Sequence, residues 1–287
     1  MKSINQTYKY ILSEILDKNN KLHYDTVKFQ SVDGMIAHPN NGYTSFSLDT
    51  SSSFPLITAR DIRIKISIAE MLWYLNGSID QSWLKKYTKI WDNFADEDGF
   101  VRSSYGYRWR SHFGRDQIAE ALSILQKDFS NRQAVVLTWD PTSDGLDSAR
   151  KKNVPCVVLF QLTILDNKLN LSVLWRSQDM YLGFPHDITG FALLQSILAQ
   201  KLGLEVGLLH WTIQHAHLYE NQVENAKKLL AVEPDESRVK LILPQNTFDI
   251  ARDGTEQERD GLLQEIHENL QTQYKPVQKL KHVKIAV

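Results

Sequence analysis

The sequence predicts an α+β fold in a single domain covering residues 1–287. Three observations predict it. Helical periodicity marks the first half, with apolar residues at Ile64, Ile68, Met71, Leu72 and Leu75, and again at Ile118, Leu122 and Leu125. Two strongly β runs, 157–165 (VVLFQLTIL) and 169–175 (LNLSVLW), stand in the second half. Helical and strand patterns do not alternate regularly, as a parallel α/β fold would require. No Gly/Ser/Pro-rich linker, internal repeat or low-complexity block divides the chain.

In chain order, residues 5–18 read as a first helix and 39–53 as loop plus a short strand. The periodic run from Asp61 to Leu75 reads as a helix ended by Gly77. A further helix is expected from Gln117 to Phe129, and a strand at 134–139. Residues 142–153 are a charged, irregular insertion. The two β runs flank Asp166-Asn167-Lys168, which predicts a hairpin with a short loop. An apolar helix over 189–202 ends at Gly203, 208–213 and 239–243 read as strands, and 255–272 as a late helix. The chain finishes on an apolar tail, HVKIAV.

Composition excludes several function classes. With 42% hydrophobic and 23% charged residues the chain is ordinary globular material. A net charge of −1 offers no basic excess for nucleic acid or a membrane surface. The first residues lack the apolar core of a signal peptide, and no run is long enough to span a membrane. A single cysteine forms no internal disulfide, so a reducing, cytoplasmic setting is expected. His215 and His217 show no standard ligand spacing, and no metal is expected.

Cys156 follows Pro155 and opens the first β run. Alone, such a residue is more often a packed small hydrophobe. As a nucleophile it needs a nearby positive charge. Arg176 lies on the partner strand, so a hairpin closed around Asn167 puts both near its open end. Residues 175–188 (WRSQDMYLGFPHDI) read either as a solvated turn or as a site loop, with Arg176 and Ser177 suited to a phosphate. His217 and Tyr219 share a face if extended. Glu70 sits within an apolar helix face, where a carboxyl would have a raised pKa and could relay protons. Trp91 and Tyr105 are either core residues or a platform for a flat ligand.

Eight segments, in order, resemble the thymidylate synthase family: FPLITAR (54–60), EMLWYLNG (70–77), IWDNFAD (90–96), YGYRWR (105–110), NRQAVVLTWDP (131–141), PC (155–156), RSQDMYLGFPHDI (176–188) and HAHLYENQ (215–222). The only cysteine falls at the family's nucleophile position. The resemblance implies a homodimer joined through a large mixed sheet with helices on the other face. It implies 5,10-methylenetetrahydrofolate as one-carbon cosubstrate, and a pyrimidine nucleotide attacked at C6 by Cys156 so that C5 becomes nucleophilic. Glu70 would organise water and proton transfer, and Tyr105 would assist loss of the C5 proton. Arg176 and Ser177 match phosphate ligands, and Arg132 matches one reaching across from the second subunit. His217 and Tyr219 match the pair holding the sugar 3′-hydroxyl. Arg60, Ile90, Trp91, Asp179, Leu182 and Gly183 fall at folate positions, and the tail Ile285-Ala286-Val287 resembles a closing C-terminus.

The departures are informative. Asp187 stands where thymidylate synthases carry Asn, and Asp is the pattern of the cytidylate hydroxymethylases. An Asn amide suits uracil, whereas a carboxyl accepts from cytosine's amine and shares a proton with N3; a mismatched buried polar pair costs roughly 1–3 kcal/mol. Arg102-Ser103-Ser104 lacks the synthases' Gly-Pro. Gln133 replaces a phosphate arginine, with Arg102 or Arg108 as candidates to compensate, and 29–37 (FQSVDGMIA) replaces an arginine-rich loop. Phe94 replaces a tryptophan, His186 an aromatic residue and Val157 a histidine. The expected activity is therefore 5-hydroxymethylation of dCMP or CMP. The alternatives are thymidylate synthase or dCMP C5-methylase activity, and a catalytically inert member that binds nucleotide or a partner.

Overall fold

The computed structural model describes residues 2–24, 34–145 and 154–277. Its helices are α1 (Ile4–Ile15), α2 (Ile64–Asn76), α3 (Tyr105–Tyr107), α4 (Gln117–Lys127), α5 (Gly183–Leu202), α6 (Val223–Leu230), α7 (Thr247–Asp253) and α8 (Glu256–Gln271). Its strands are β1 (His23–Tyr24), β2 (Met35–Ala37), β3 (Thr44–Asp49), β4 (Val135–Leu137), β5 (Val157–Leu165), β6 (Lys168–Trp175), β7 (Gln178–Asp179), β8 (Glu205–Ile213) and β9 (Ala216–Tyr219). The fold is α+β, as expected. Among the described residues, no helix is long and apolar enough to cross a membrane.

Five strands form the main sheet, in the order β3-β8-β6-β5-β4. Within this sheet, among the described residues, only β6 and β8 run parallel, and the chain between them forms α5, since parallel neighbours need a crossover. One sheet face is apolar: Phe160, Leu171, Val173, Trp175, Leu209 and Trp211 are all buried. They pack on α5, where the Phe191 ring lies 5.6 Å from both Trp175 and Trp211. Helix α2 covers α5 from the other side, which is why α5 is apolar almost all round. On β4 the alternation is open: Val136 is buried between Val135 and Leu137, which are 38% and 43% exposed. A smaller sheet, β1-β2-β9-β7, lies beyond the end of β8.

Several boundaries differ from the sequence expectation for identifiable reasons. Helix α2 starts at Ile64 rather than Asp61. The Asp61 carboxyl accepts the Arg63 N–H at 3.0 Å, and this local turn occupies the first residues of the periodic run. Gly77 does end α2, in left-handed conformation at φ 76°, donating to the carbonyls of Trp73 and Tyr74. The hairpin loop is two residues, Asp166 and Asn167, both at positive φ, and Lys168 already pairs with Leu165. Residues 239–243 join no strand. Their N–H groups instead donate to side chains: Val239 to Ser53, Lys240 to Gln273 and Ile242 to Asn269.

The largest correction concerns 175–188. Helix α5 begins at Gly183, six residues earlier than its expected start at 189, so Asp187 lies on a helix and not in a loop. Gly183 and Pro185 read as loop residues in sequence, but proline is tolerated in a first helical turn, where no intrahelical donor is lost. The Asp179 carboxyl turns the chain into this helix by accepting the N–H groups of Tyr181 and Leu182 at 2.7 and 2.9 Å.

Gly106 fixes the approach of α3 to α2. A Cβ there would lie 2.2 Å from the Tyr74 carbonyl oxygen, inside van der Waals contact. Gly106→Ala is therefore expected to destabilise by at least about 2 kcal/mol. Denaturant unfolding checks this, with Gly261→Ala as the control at a position of ordinary φ whose Cβ would meet no neighbour.

Candidate active site

Val157 pairs with Trp175 at the open end of the β5–β6 hairpin, so Cys156 and Arg176 face each other just beyond the last pair. The Arg176 N–H donates to the Cys156 carbonyl at 2.9 Å. Its guanidinium is held by the carbonyls of Pro155 and Val154, at 2.8 and 3.0 Å, and places Nη2 3.9 Å from the Cys156 Sγ. Burial pushes the thiol pKa up; Arg176 pulls it down, while Asp187 and Asp179 add to the rise. The thiol of the free protein is thus protonated at neutral pH, and Arg176 is positioned to favour the thiolate.

Two carboxyls flank this pair. Asp179 on β7 is opposite His217 of β9. Burial raises its pKa against the donors that hold it, which include Gln222 at 2.6 Å as well as the Tyr181 and Leu182 amides. Asp187 lies one turn into α5 and accepts from Gln178 Nε2 at 3.1 Å. Burial raises the Asp187 pKa well above the usual carboxylate range; Gln178 opposes this, and the nearby Glu70 and Asp179 reinforce it.

A third carboxyl, Glu70 of α2, accepts from the Trp91 indole N–H at 2.8 Å. Burial raises its pKa to about 7, with the Trp91 bond pulling the other way. Such a group gives or takes a proton near neutrality. The Tyr74, Trp91 and Tyr105 rings surround it, with centroids 5.2 to 6.3 Å apart. Tyr105 is buried, bonds the backbone at Cys156, and has its pKa raised by burial. Trp91 and Tyr105 both pack on the core, and Trp91 remains half-exposed.

His217 is buried, and burial lowers its pKa to about 4. Its Nδ1 lies 3.2 Å from the His215 carbonyl, so Nδ1 carries the proton and Nε2 is left as an acceptor. That Nε2 has no hydrogen-bond partner among the described residues, and suits a hydroxyl donor. The Tyr219 ring stands edge-on to it at 4.9 Å. Ser177 is half-buried between Arg176 and Gln178. Arg60 is buried, donates to the Tyr181 carbonyl and lies 4.6 Å over the Tyr181 ring. Ile90, Leu182 and Gly183 are half-buried. His186 bonds Ser67 at 3.0 Å, and burial lowers its pKa to about 3.

Some expected partners are engaged elsewhere. Arg102 pairs with Asp96 and Asp98. Arg108 is buried and pairs with Asp144 at 3.0 Å. Neither is available to replace a phosphate arginine. Arg132 is exposed on the segment before β4. Val287 with the rest of the tail, residues 29–33 and residues 146–153 lie outside the described residues. No group of three His, Cys, Asp or Glu side chains is placed to hold a metal ion among the described residues. A groove of about 450 Å³ near Arg63, Tyr87 and His267 contains none of the expected site residues. The site is therefore located by its chemistry and not by volume.

A thymidylate synthase family model matches residues 6–261. The chain belongs to the thymidylate synthase family. It is 37% identical over 208 residues to a curated thymidylate synthase from Corynebacterium aurimucosum, covering 69% of this chain and 75% of that one. It is also similar to the solved structure of thermostable thymidylate synthase A from Bacillus subtilis, with a TM-score of 0.78, 25% identity and full coverage of both chains. Family members carry out folate-dependent transfer to C5 of a pyrimidine nucleotide. Sequence reasoning passed over Gln178, Trp211, Tyr74 and Gln222. Gln178 lies inside a quoted motif, but its pairing with Trp211 joins positions distant in sequence and left no local signal.

Trp91→Phe removes a donor that favours ionised Glu70. The Glu70 pKa is expected to rise above about 7, by roughly one unit. Carboxyl ¹³C titration by NMR measures this directly.

Proposed function

We propose that this family member transfers the methylene carbon of 5,10-methylenetetrahydrofolate to C5 of a cytosine nucleotide, dCMP or CMP, and completes the reaction with water to give the 5-hydroxymethyl product. The observation that carries this reading is Asp187, a desolvated carboxyl with raised proton affinity near Cys156, Tyr105 and Glu70. Cytosine presents a basic ring nitrogen, N3, beside an amine donor. One carboxyl oxygen accepts from the amine, and the carboxyl proton is shared with N3. Uracil presents N3–H beside O4, a far weaker base, so the same proton is held less well.

Cys156 forms the covalent bond to C6, its thiol proton leaving as the thiolate develops beside Arg176. Arg176 and Ser177, with Arg132 of a second subunit, bind the phosphate. His217 Nε2 accepts from the sugar 3′-hydroxyl, with Tyr219 beside it. Glu70, poised near neutrality, organises water and moves protons, and Tyr105 assists removal of the C5 proton. The folate supplies the one-carbon unit as cosubstrate. Half-exposed Trp91 and Phe94, 5.4 Å apart, present an aromatic surface suited to a flat ring. Arg60, Ile90, Asp179, Leu182, Gly183 and the tail at Val287 complete that side. Phe94 is smaller than the tryptophan of the synthases, which favours access of water. Elimination of Cys156 then releases product.

A homodimer is part of this reading. The open face of the main sheet, with exposed Val135 and Leu137, supports it. The second reading is thymidylate synthase activity on dUMP, favoured by the name both relatives carry. It would form dihydrofolate.

Incubation with methylenetetrahydrofolate and dCMP, CMP or dUMP, with products read by mass, tests the proposal. Hydroxymethylated cytosine nucleotide without dihydrofolate is expected; turnover of dUMP with dihydrofolate formation overturns it. Cys156→Ala is expected to lower activity by more than about three orders of magnitude. Asp187→Asn should shift preference toward dUMP by about 10- to 100-fold. Inactive Cys156→Ala and Arg132→Ala subunits, once mixed, should regain about a quarter of wild-type activity, because each mixed dimer rebuilds one complete site.

A further inference from the structure

We infer that Gln178, locked in orientation by Trp211, is a specificity-positioning residue: it sets which oxygen of Asp187 accepts and which is left to carry a proton toward the pyrimidine. The inference rests on the reading of Asp187 as the base-facing group.

The argument starts from donor and acceptor inventories. An indole N–H only donates, whereas a glutamine amide has one end of each kind. Trp211 Nε1 donates to Gln178 Oε1 at 2.8 Å, and both residues are buried, with 0% and 3% exposure. The amide of Gln178 therefore has one allowed orientation. Its Nε2 must point the other way, and it donates to Asp187 Oδ2 at 3.1 Å. Oδ2 is thus the acceptor end of the carboxyl, and a proton is better placed on Oδ1. Buried amides add little net stability over apolar residues. This one spends both ends on a core indole and a site carboxyl, which is the arrangement of a polarity relay.

The polarity matters because pyrimidines differ in just this respect. Cytosine and uracil exchange donor and acceptor at position 4 and at N3. A side chain able to reverse its own ends would accept either base. The relay removes that freedom at residue 187, whether the residue is Asp or Asn. The charged or titratable groups around Asp187 are Glu70 and Tyr74 from α2, Tyr105 from α3, Cys156 before β5 and Asp179 from β7. Gln178 is the uncharged donor among them, so its removal changes the proton affinity of Asp187 without adding a charge.

The test uses the dissociation constants of dCMP and dUMP, measured by calorimetry across a pH series, for the full-length protein and four variants. Gln178→Met keeps the volume and deletes the relay. Trp211→Phe keeps Gln178 and frees its amide to turn. Gln178→Met is expected to narrow the dCMP-to-dUMP affinity ratio about tenfold and to raise the pH inflection of dCMP binding by about one unit, since a donor favouring the carboxylate is lost. Trp211→Phe should shift both in the same direction by less. Adding Gln178→Met to Asp187→Asn frees the new amide to turn, so the double variant should discriminate less than Asp187→Asn alone. Thermal melts establish that each variant is folded; if Gln178→Met is not, Trp211→Phe decides. Equal weakening of both nucleotides with an unmoved inflection overturns the inference. If Asp187→Asn leaves the ratio untouched, the reading of Asp187 itself fails. If Asp187→Asn moves the ratio while the Gln178 and Trp211 variants do not, the relay alone fails.

Discussion

The register of the β5–β6 hairpin governs the chemistry of this protein. Its two-residue turn at Asp166 and Asn167 requires positive φ at both positions, which aspartate and asparagine tolerate. From that turn the pairing runs to Leu159 and Leu174; a bulge at Val158 then shifts the register by one residue, so that Val157 pairs with Trp175 and Cys156 and Arg176 come out opposed. A slip of one residue would turn Phe160, Leu162, Leu171 and Val173 from the α5 side to the open side of the sheet. The hydrophobic core and the cysteine–arginine pair are therefore specified together.

Desolvation is the second constraint. Glu70, Asp179 and Asp187 all have raised pKa values because they are taken out of water, yet each is held differently. Asp179 is gripped by two backbone amides and Gln222 and acts as a hinge between β7 and α5. Glu70 has a single indole donor and titrates near neutrality. Asp187 has one amide donor, and the two carboxyls nearby reinforce the rise that burial causes. Environments that push neighbouring carboxyls apart in this way divide labour between chemically identical groups.

Much of the architecture was legible locally. The 3.6-residue pattern of α2, its glycine stop at Gly77, the hairpin and the closing Gly203 all follow from short-range periodicity and turn chemistry. The missed elements have short or interrupted signals. Helix α3 is three residues long and continues into a π-helical turn at Arg108–His112. The start of α5 was hidden behind Gly183 and Pro185, which punctuate loops more often than helices. Residues 239–243 carry strand-like residues, but their backbone donors go to Ser53, Gln273 and Asn269 rather than to a neighbouring strand.

The sequence by itself determined the family, through eight ordered segments, and the fold class, through patterns that repeat over a few residues. It also singled out Cys156, Arg176, Glu70 and Asp187. Only the tertiary structure decided how those residues are electrostatically set. That Arg108 is already paired with Asp144, that Trp91 holds Glu70, and that Trp211 orients Gln178 against Asp187 are facts about neighbours distant in sequence. The reason is physical: pKa values and amide orientations depend on burial and on partners across the fold, and neither is written in local sequence.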